Sequence, residues 1–300
     1  MKKKLSCSLG ICLYNEEQNI EKLLQSVLSQ KLRAVFIGEI LLIISGSTDK
    51  TKKIALHFAK KNKRIKIILQ QKRYGKASAV NVFIQKAKSA ILVLLGGDLI
   101  LNNDVVEKLV QPFLNEKIGM TGVHPVPLNN INNGLFGFAG NFLWELHHQL
   151  SLKNPKMGEV VAFRKIFSRI PISSSVDEAN IEPLVKGQGY TIKYISRAII
   201  HNKAPGNLKD FVAQRRRIFA GHIAVRQEHG YTVSSLRLLP IFFALISFFK
   251  KNKHPKYYLY AIIVICLELY SRFLGWWDFT VAKKRHTVWD TIVTTKDLSS

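Results

Sequence analysis

A chain of 300 residues, 47% hydrophobic and 22% charged, is long enough for one large α/β domain with an appendage and too apolar to stay disordered. Its net charge of +25 requires anionic partners. The basic runs Lys2 to Lys4, Lys60 to Arg64, Arg215 to Arg217, Lys250 to Lys256 and Lys283 to Arg285 carry no interleaved aromatics, and no helix-turn-helix or zinc-finger spacing occurs, which argues against nucleic acid and for anionic lipid or a phosphorylated substrate.

The elements alternate from the start. Leu5 to Leu13 reads as a strand and not a targeting segment, because Ser breaks its apolar run and Tyr14-Asn15-Glu16-Glu17 arrives too soon. Cys7 and Cys12 fall on opposite faces of that strand and Cys266 lies in a later apolar run. Neither a disulfide framework nor a metal spacing follows, as expected in a reducing compartment. Asn15 to Gln18 opens an amphipathic helix with Ile20, Leu23, Leu24, Val27 and Leu28 on its apolar face. Ile40 to Ile44 reads as a buried parallel strand, and Asp49 to Lys60 as the helix after it. Ile65 to Leu69 alternates, Gly75 to Ala87 is helical, Ala90 to Leu95 is a continuous apolar strand, and Asp104 to Leu114 is a helix. This order predicts an α/β fold with a mostly parallel sheet covered by helices on both faces.

The rhythm then loosens. Pro125 to Gly140 reads as a loop, Phe142 to Leu152 as a helix, Val160 to Phe163 as a strand and Pro171 to Val176 as a polar loop. A helix runs from Asp177 to Val185, a strand from Tyr190 to Ile200, and a long basic helix from Leu208 to Glu228. Two apolar stretches close the chain. Leu238 to Phe249 spans roughly 18 Å as a helix, too short for a bilayer, and Tyr257 to Trp277 about 31 Å, long enough. Glu268 and Arg272 stand four apart in the second stretch, and Tyr257, Tyr258, Tyr260, Trp276 and Trp277 sit at its ends like interfacial belts. A re-entrant or surface-lying arrangement is favoured over a clean hairpin, because lysine clusters follow both stretches. The composition divides the chain into residues 1–231 and a membrane-associated helical region, 232–300.

Five places offer chemistry. The Ser45-Gly46-Ser47-Thr48-Asp49 turn sets hydroxyls, a carboxylate and a helix N-terminus where open α/β sheets bind nucleotides and phosphates, although any strand-to-helix turn uses the same residues as caps. Asp98, behind Gly96 and Gly97, suits a divalent cation bridging phosphates, or a cap on the next helix. Asp177-Glu178 at a helix start is either an N-cap or a general base with its neighbour. Gln214-Arg215-Arg216-Arg217 lies on the basic helix, where at most two of the arginines can face one ligand, such as a leaving diphosphate. Lys76 starts a helix behind Gly75, where its ammonium and the helix amides would meet an anion.

In chain order these segments are strand-Tyr-Asn-Glu-Glu, strand-Ser-Gly-Ser-Thr-Asp-x-Thr, Gly-Lys-Ala-x-x-x-Asn, strand-x-x-Asp, Asp-Glu and Gln-x-x-Arg. The ordered set resembles the inverting family-2 glycosyltransferases with the GT-A fold, over about Leu5 to Gly221. The apolar C-terminal segments and the ending Trp289-Asp290-Thr291-Ile292-Val293-Thr294-Thr295-Lys296 are similar to those of members that glycosylate lipids or polysaccharides at membranes. The resemblance implies hexosyl transfer from a nucleotide-diphosphate sugar to a lipid-linked or glycan acceptor, with Mg²⁺ or Mn²⁺ at Asp98. It implies catalysis by Glu178 with Asp177, donor binding by Asn15, Glu16, Ser45, Asp49 and Lys76, and diphosphate binding by Gln214, Arg215 and Arg217. A membrane location with the catalytic domain on the cytoplasmic side, in glycan or cell-envelope biosynthesis, follows from it as well. The chain departs from the family's pattern at four positions. Ile44 and Ser45 replace carboxylates, Gly96 replaces the first residue of the Asp-x-Asp motif, and Ile218 stands where processive polymerases place tryptophan, which favours single-sugar transfer. The lost carboxylates keep open an alternative, a catalytically inactive GT-A-like binding or scaffold protein.

Overall fold

The computed structural model describes residues 4–236, 238–288 and 290–298; Lys2, Lys3 and Trp289, named above, lie outside them. The first half follows the expected alternation: β1 (Leu5–Leu13), α1 (Ile20–Leu28), β2 (Val35–Ser45), α2 (Thr51–Lys61), β3 (Ile65–Gln70), α3 (Lys76–Lys86) and β4 (Ile91–Leu95). These four strands lie in the order β3-β2-β1-β4, each parallel to its neighbour. All five residues of β4, and β2 from Glu39 to Ser45, are buried, because helices cover both faces. One face packs on α1 through Ile20, Leu23, Leu24 and Val27. The other packs on α3 through Ala77, Val80, Phe83 and Ile84.

The second half holds β5 (Ile100–Leu101), α4 (Val105–Val110), β6 (Ile118–Pro127), α5 (Gly134–Lys153), β7 (Val161–Arg164), α6 (Asp177–Lys186), β8 (Thr191–Asn202) and α7 (Leu208–His229). It extends the sheet to β3-β2-β1-β4-β7-β6-β8-β5. The pairs β4–β7, β6–β7 and β5–β8 are antiparallel, so the sheet is mixed beyond β4. Two expectations need correction here. The strand β6 fills the stretch after the expected helix, to which the sequence assigns no element, and runs into the first residues of the expected loop, and α5 begins at Gly134, inside that loop. Gly119, Gly122, Pro125 and Pro127 hide β6. Its two prolines fall where only β8 pairs with it, β7 having left after Gly122, so one edge is free for residues without an N–H.

The last helices, α8 (Leu238–Lys251) and α9 (Pro255–Thr280), are docked on this body. Phe138, Phe142, Phe211, Phe248, Tyr257, Ala261 and Val264 form one buried cluster drawn from α5, α7, α8 and α9. Arg215 Nε and Nη2 donate to the Glu268 carboxylate at 2.6 and 2.9 Å, and Arg216 pairs with Asp278. Gly275 admits the Arg216 carbonyl so closely that a Cβ there would stand 2.5 Å from it. Helix α9 therefore lies along the domain from Tyr257 to Asp278. Its other face stays bare: Leu259, Ile262, Leu269 and Phe273 are each 56% or more exposed.

Candidate active site

Three loops leave the carboxyl edge of β1, β2 and β4 side by side. The first two are laced together. Asn15, in a left-handed backbone (φ 49°), donates its amide N–H to Ser47 Oγ (3.1 Å) and accepts from Thr48 N at Oδ1 (2.9 Å). Both oxygens of Asp49 are engaged, accepting from Glu17 N and Thr51 N at 3.0 Å. Asn15 and Asp49 thus shape the edge and do not line the cavity beside it.

That cavity, of about 200 Å³, is walled by Tyr14, Glu16, Ser45, Lys76, Asp98 and Glu159. The Arg73 guanidinium lies over the Tyr14 ring, 3.9 Å from its centre. Ser45 donates to Gln70 Oε1 at 2.5 Å, which commits its hydroxyl hydrogen to the protein. A Cβ on Gly97 would stand 2.5 Å from Glu16 Cγ, so only glycine lets Glu16 lie across the end of β4. Burial and the nearby Asp98 push the Glu16 carboxyl up to about 7, against the pull of its ion-pair partner Lys296.

Lys296 arrives on a C-terminal strap, residues 287–288 and 290–298, that runs beside the cavity. Thr294 donates from N and Oγ1 to Asp210 Oδ2 (3.0 and 2.6 Å), and Asn19 Nδ2 donates to the Lys296 carbonyl (2.8 Å). Gly75 (φ 89°) admits the Thr287 carbonyl, which a Cβ would meet at 2.4 Å. Thr287, Thr291, Thr295 and Lys296 all line the cavity. Sequence reasoning did not assign them to the site, and its only trace of them was the resemblance of the ending.

A second, larger cavity of about 420 Å³ shares four lining residues with the first: Lys76, Glu159, Gln214 and Arg217. At this junction α6 presents Asp177 and Glu178. Lys76 Nζ lies 3.2 Å from Asp177 Oδ2 and 3.5 Å from Glu178 Oε1. Burial opposes the lysine's charge, yet Glu178 and Asp177 hold it above the ordinary lysine range. Asp177 is 1% exposed, and its Oδ1 has no hydrogen-bond partner among the described residues. Burial raises its carboxyl, with Lys76 and Arg217 opposing. Glu178 is the more open of the two.

Glu159 carries no sequence signal beyond a Gly-Glu step before a strand. It holds a left-handed backbone (φ 62°), rare for a non-glycine residue and costing of order 1 kcal/mol. Asn202 Nδ2 donates to its Oε1 at 3.0 Å. Burial, with Asp98 and Glu178 adding their charges, pushes its carboxyl up to about 7. The arginines of α7 diverge as their spacing requires. Gln214 and Arg217 reach the junction, Arg216 turns to Asp278, and Arg215 lines the larger cavity alone, away from the smaller one. Among the described residues, no three His, Cys, Asp or Glu side chains are grouped closely enough to hold a metal ion.

The site sits at the carboxyl edge of a sheet whose overall course matches that of a mannosyltransferase, PcManGT from Pyrobaculum calidifontis, solved with GDP-Man and Mn²⁺. The likeness has a TM-score of 0.66 over 92% of this chain and 88% of that one, at 16% identity, and shows the GT-A fold. The model of glycosyl transferase family 2 matches residues 8–168, and the chain belongs to that family. It is also similar to glycosyltransferase AglE of Haloferax volcanii, 31% identical over 115 residues. A poly-beta-1,6-N-acetyl-D-glucosamine synthase of Staphylococcus epidermidis is 31% identical over 119 residues. These matches take in 38% and 39% of this chain and span only 38% and 28% of the relatives' own lengths.

Proposed function

We propose that this glycosyltransferase moves one sugar from a nucleotide-diphosphate sugar to an acceptor hydroxyl at a membrane surface, with inversion. The observation that carries the reading is the meeting of two cavities at Lys76, Glu159, Gln214 and Arg217, with Asp177 and Glu178 beside it. The smaller cavity takes the donor, and the larger one the acceptor. Glu178 accepts the proton of the acceptor hydroxyl. That oxygen bonds to the anomeric carbon from the face opposite the diphosphate, and the bond to the diphosphate breaks with its electron pair. Gln214 and Arg217 hold the departing oxygens. Asp177, held by Lys76, positions the start of α6.

The residues suit a divalent cation. Asp98, Glu16 and Glu159 are hard oxygen donors on one small cavity; they are not grouped closely enough to hold an ion by themselves, so diphosphate oxygens would complete its shell, and a cation would offset the Asp98 charge that, after burial, lifts Glu16 and Glu159. Mg²⁺ or Mn²⁺ held at Asp98 would neutralise charge on the leaving diphosphate. A Cβ at Gly96 would meet only Asp98 Oδ1 at 3.0 Å and Leu99 Cδ1 at 3.9 Å, so a side chain fits there once the Asp98 carboxylate gives by a few tenths of an ångström. Gly96→Asp is expected to tighten Mn²⁺ binding in the presence of nucleotide by about tenfold. Unchanged or weaker binding by calorimetry counts against a cation at Asp98.

The bare apolar faces of α8 and α9 support attachment to a bilayer. Helix α9 is long and apolar enough to span one, with 22% of its most apolar window buried. Its docking along the domain favours lying on the membrane, with residues 1–231 as the catalytic body on the cytoplasmic side, where nucleotide sugars are made, and 232–300 as the attached region. Thermal unfolding with UDP-, GDP- and TDP-sugars, with and without Mn²⁺, tests the donor assignment. One of them is expected to raise the melting temperature, more so with the cation, because it binds only the folded state. No stabilisation by any would favour an inactive scaffold.

A further inference from the structure

The larger cavity carries basic residues, Lys156, Arg215 and Arg272, that do not line the smaller one. Besides Glu159, Asp177 and Glu178, which face Lys76 and Arg217 at the junction, it carries a second charged cluster, where Lys156, Arg215 and Arg272 share Glu268, which accepts from Arg215 at 2.6 and 2.9 Å and from Arg272 at 2.8 Å. Lys156 has no ion-pair partner among the described residues. The charges acting on it are Arg215, Glu182, Arg272 and Glu268, and burial followed by Arg215 brings its ammonium down to about 8. Glu182 lies outside the cavity lining, its oxygens taken by Met157 N (2.8 Å) and Tyr231 Oη (2.7 Å). His147 lines the same cavity at 9% exposure, and neither ring nitrogen has a hydrogen-bond partner among the described residues. Within this cluster three cations share one lining carboxylate beside an imidazole without a hydrogen-bond partner, which makes an unsatisfied anion site.

The remaining walls are apolar. Leu143 and Leu146 from α5, Ile241 and Leu245 from α8, and Ile265 and Leu269 from α9 line the cavity. Ile265 and Leu269 are also 39% and 60% exposed, so the cavity wall runs on into the bare apolar face of α9. An occupant that satisfies both parts carries an anionic group at one end and an alkyl chain at the other.

We propose that the larger cavity takes an amphiphilic acceptor bearing a phosphate-type anionic group, held by Lys156, Arg215 and Arg272 while its alkyl chain leaves between α8 and α9 toward the bilayer. This rests on the reading of that cavity as the acceptor side. The chain's excess of basic residues then has a specific use at this cluster as well as a diffuse one at the membrane surface.

Calorimetric titration of the full chain in a neutral detergent tests it, with dodecyl phosphate, dodecanol and inorganic phosphate as probes. Dodecyl phosphate is expected to bind more tightly than dodecanol by at least about tenfold, and Lys156→Met to remove that advantage. Nucleotide-sugar binding, measured on the same samples, should be unchanged by Lys156→Met. Should that variant not fold, Arg272→Gln carries the same expectation. Equal binding of the phosphate and the alcohol, or full retention of the advantage in the variant, overturns the anion site. Inorganic phosphate binding as tightly as dodecyl phosphate overturns the amphiphile and leaves a free-phosphate site. Absent nucleotide-sugar binding in the unmodified protein, with dodecyl phosphate still preferred, would sink the donor reading and leave this one standing.

Discussion

Replacing Glu178 by Gln is expected to lower kcat by about a hundredfold or more while leaving donor affinity within a factor of about two. The change keeps the shape of the side chain and removes its capacity to take a proton. Glu178 borders the larger cavity beside the four residues shared with the smaller one. Asp177 is less suited to the task, because it is 1% exposed and one of its oxygens faces Lys76 Nζ at 3.2 Å. Single-turnover and steady-state rates on the same preparation separate the two effects. A turnover within a few-fold of the unmodified enzyme would move the role to Asp177 or to Glu159, whose raised carboxyl stands at the junction.

Ending the chain after Tyr231 is expected to yield no soluble folded protein. The composition shift near that point suggests a removable appendage, but the packing argues otherwise. Phe138, Phe142 and Phe211 are each 2% exposed or less, and they are buried in a cluster that α8 and α9 help to close. Uncovering three such side chains costs roughly 4–9 kcal/mol, against a total stability of about 5–15 kcal/mol for a typical domain. The truncation also strips Arg215 and Arg216 of their carboxylates and Glu16 of Lys296. Gel filtration and circular dichroism of the truncated chain check this. A monomeric, cooperatively melting fragment that binds nucleotide sugar would make the C-terminal region a separable module and the strap dispensable to the donor cavity.

The parts of the fold that were legible are those where a strand is buried on both faces. Ile40 to Ile44 and Ile91 to Leu95 are continuous apolar runs because helices cover them from both sides, and each ends in a turn that carries site residues. Strand β6 was not legible, since its glycines and prolines are tolerated only through a pairing pattern that local sequence does not display. Within the candidate site, Lys76, Asp177 and Glu178 open helices, Asp98 follows β4 and Gln214 and Arg217 lie inside α7, all on or beside elements with readable patterns, which is why reading the elements picked them out. Asn15 and Asp49 were also found, but their hydrogen bonds go to each other's loops and not into the cavity. Glu159 and Lys296 were missed for a different reason. Each reaches the cavity by a fold-level path, one through a left-handed residue before β7 and the other through a strap returning from the far end of the chain. No periodicity encodes such a return.

A single displacement at the anomeric carbon with Glu178 as base fixes the stereochemistry of slow donor hydrolysis, which can be read without knowledge of the acceptor. Water takes the place of the acceptor hydroxyl when an α-linked sugar nucleotide is incubated with the full chain and Mn²⁺. Proton NMR of the first minutes of reaction reads the anomer released, before mutarotation mixes the forms. The β sugar is expected to appear first, and Glu178→Gln to abolish its appearance. Initial release of the α sugar, at a rate the variant leaves unchanged, would contradict it.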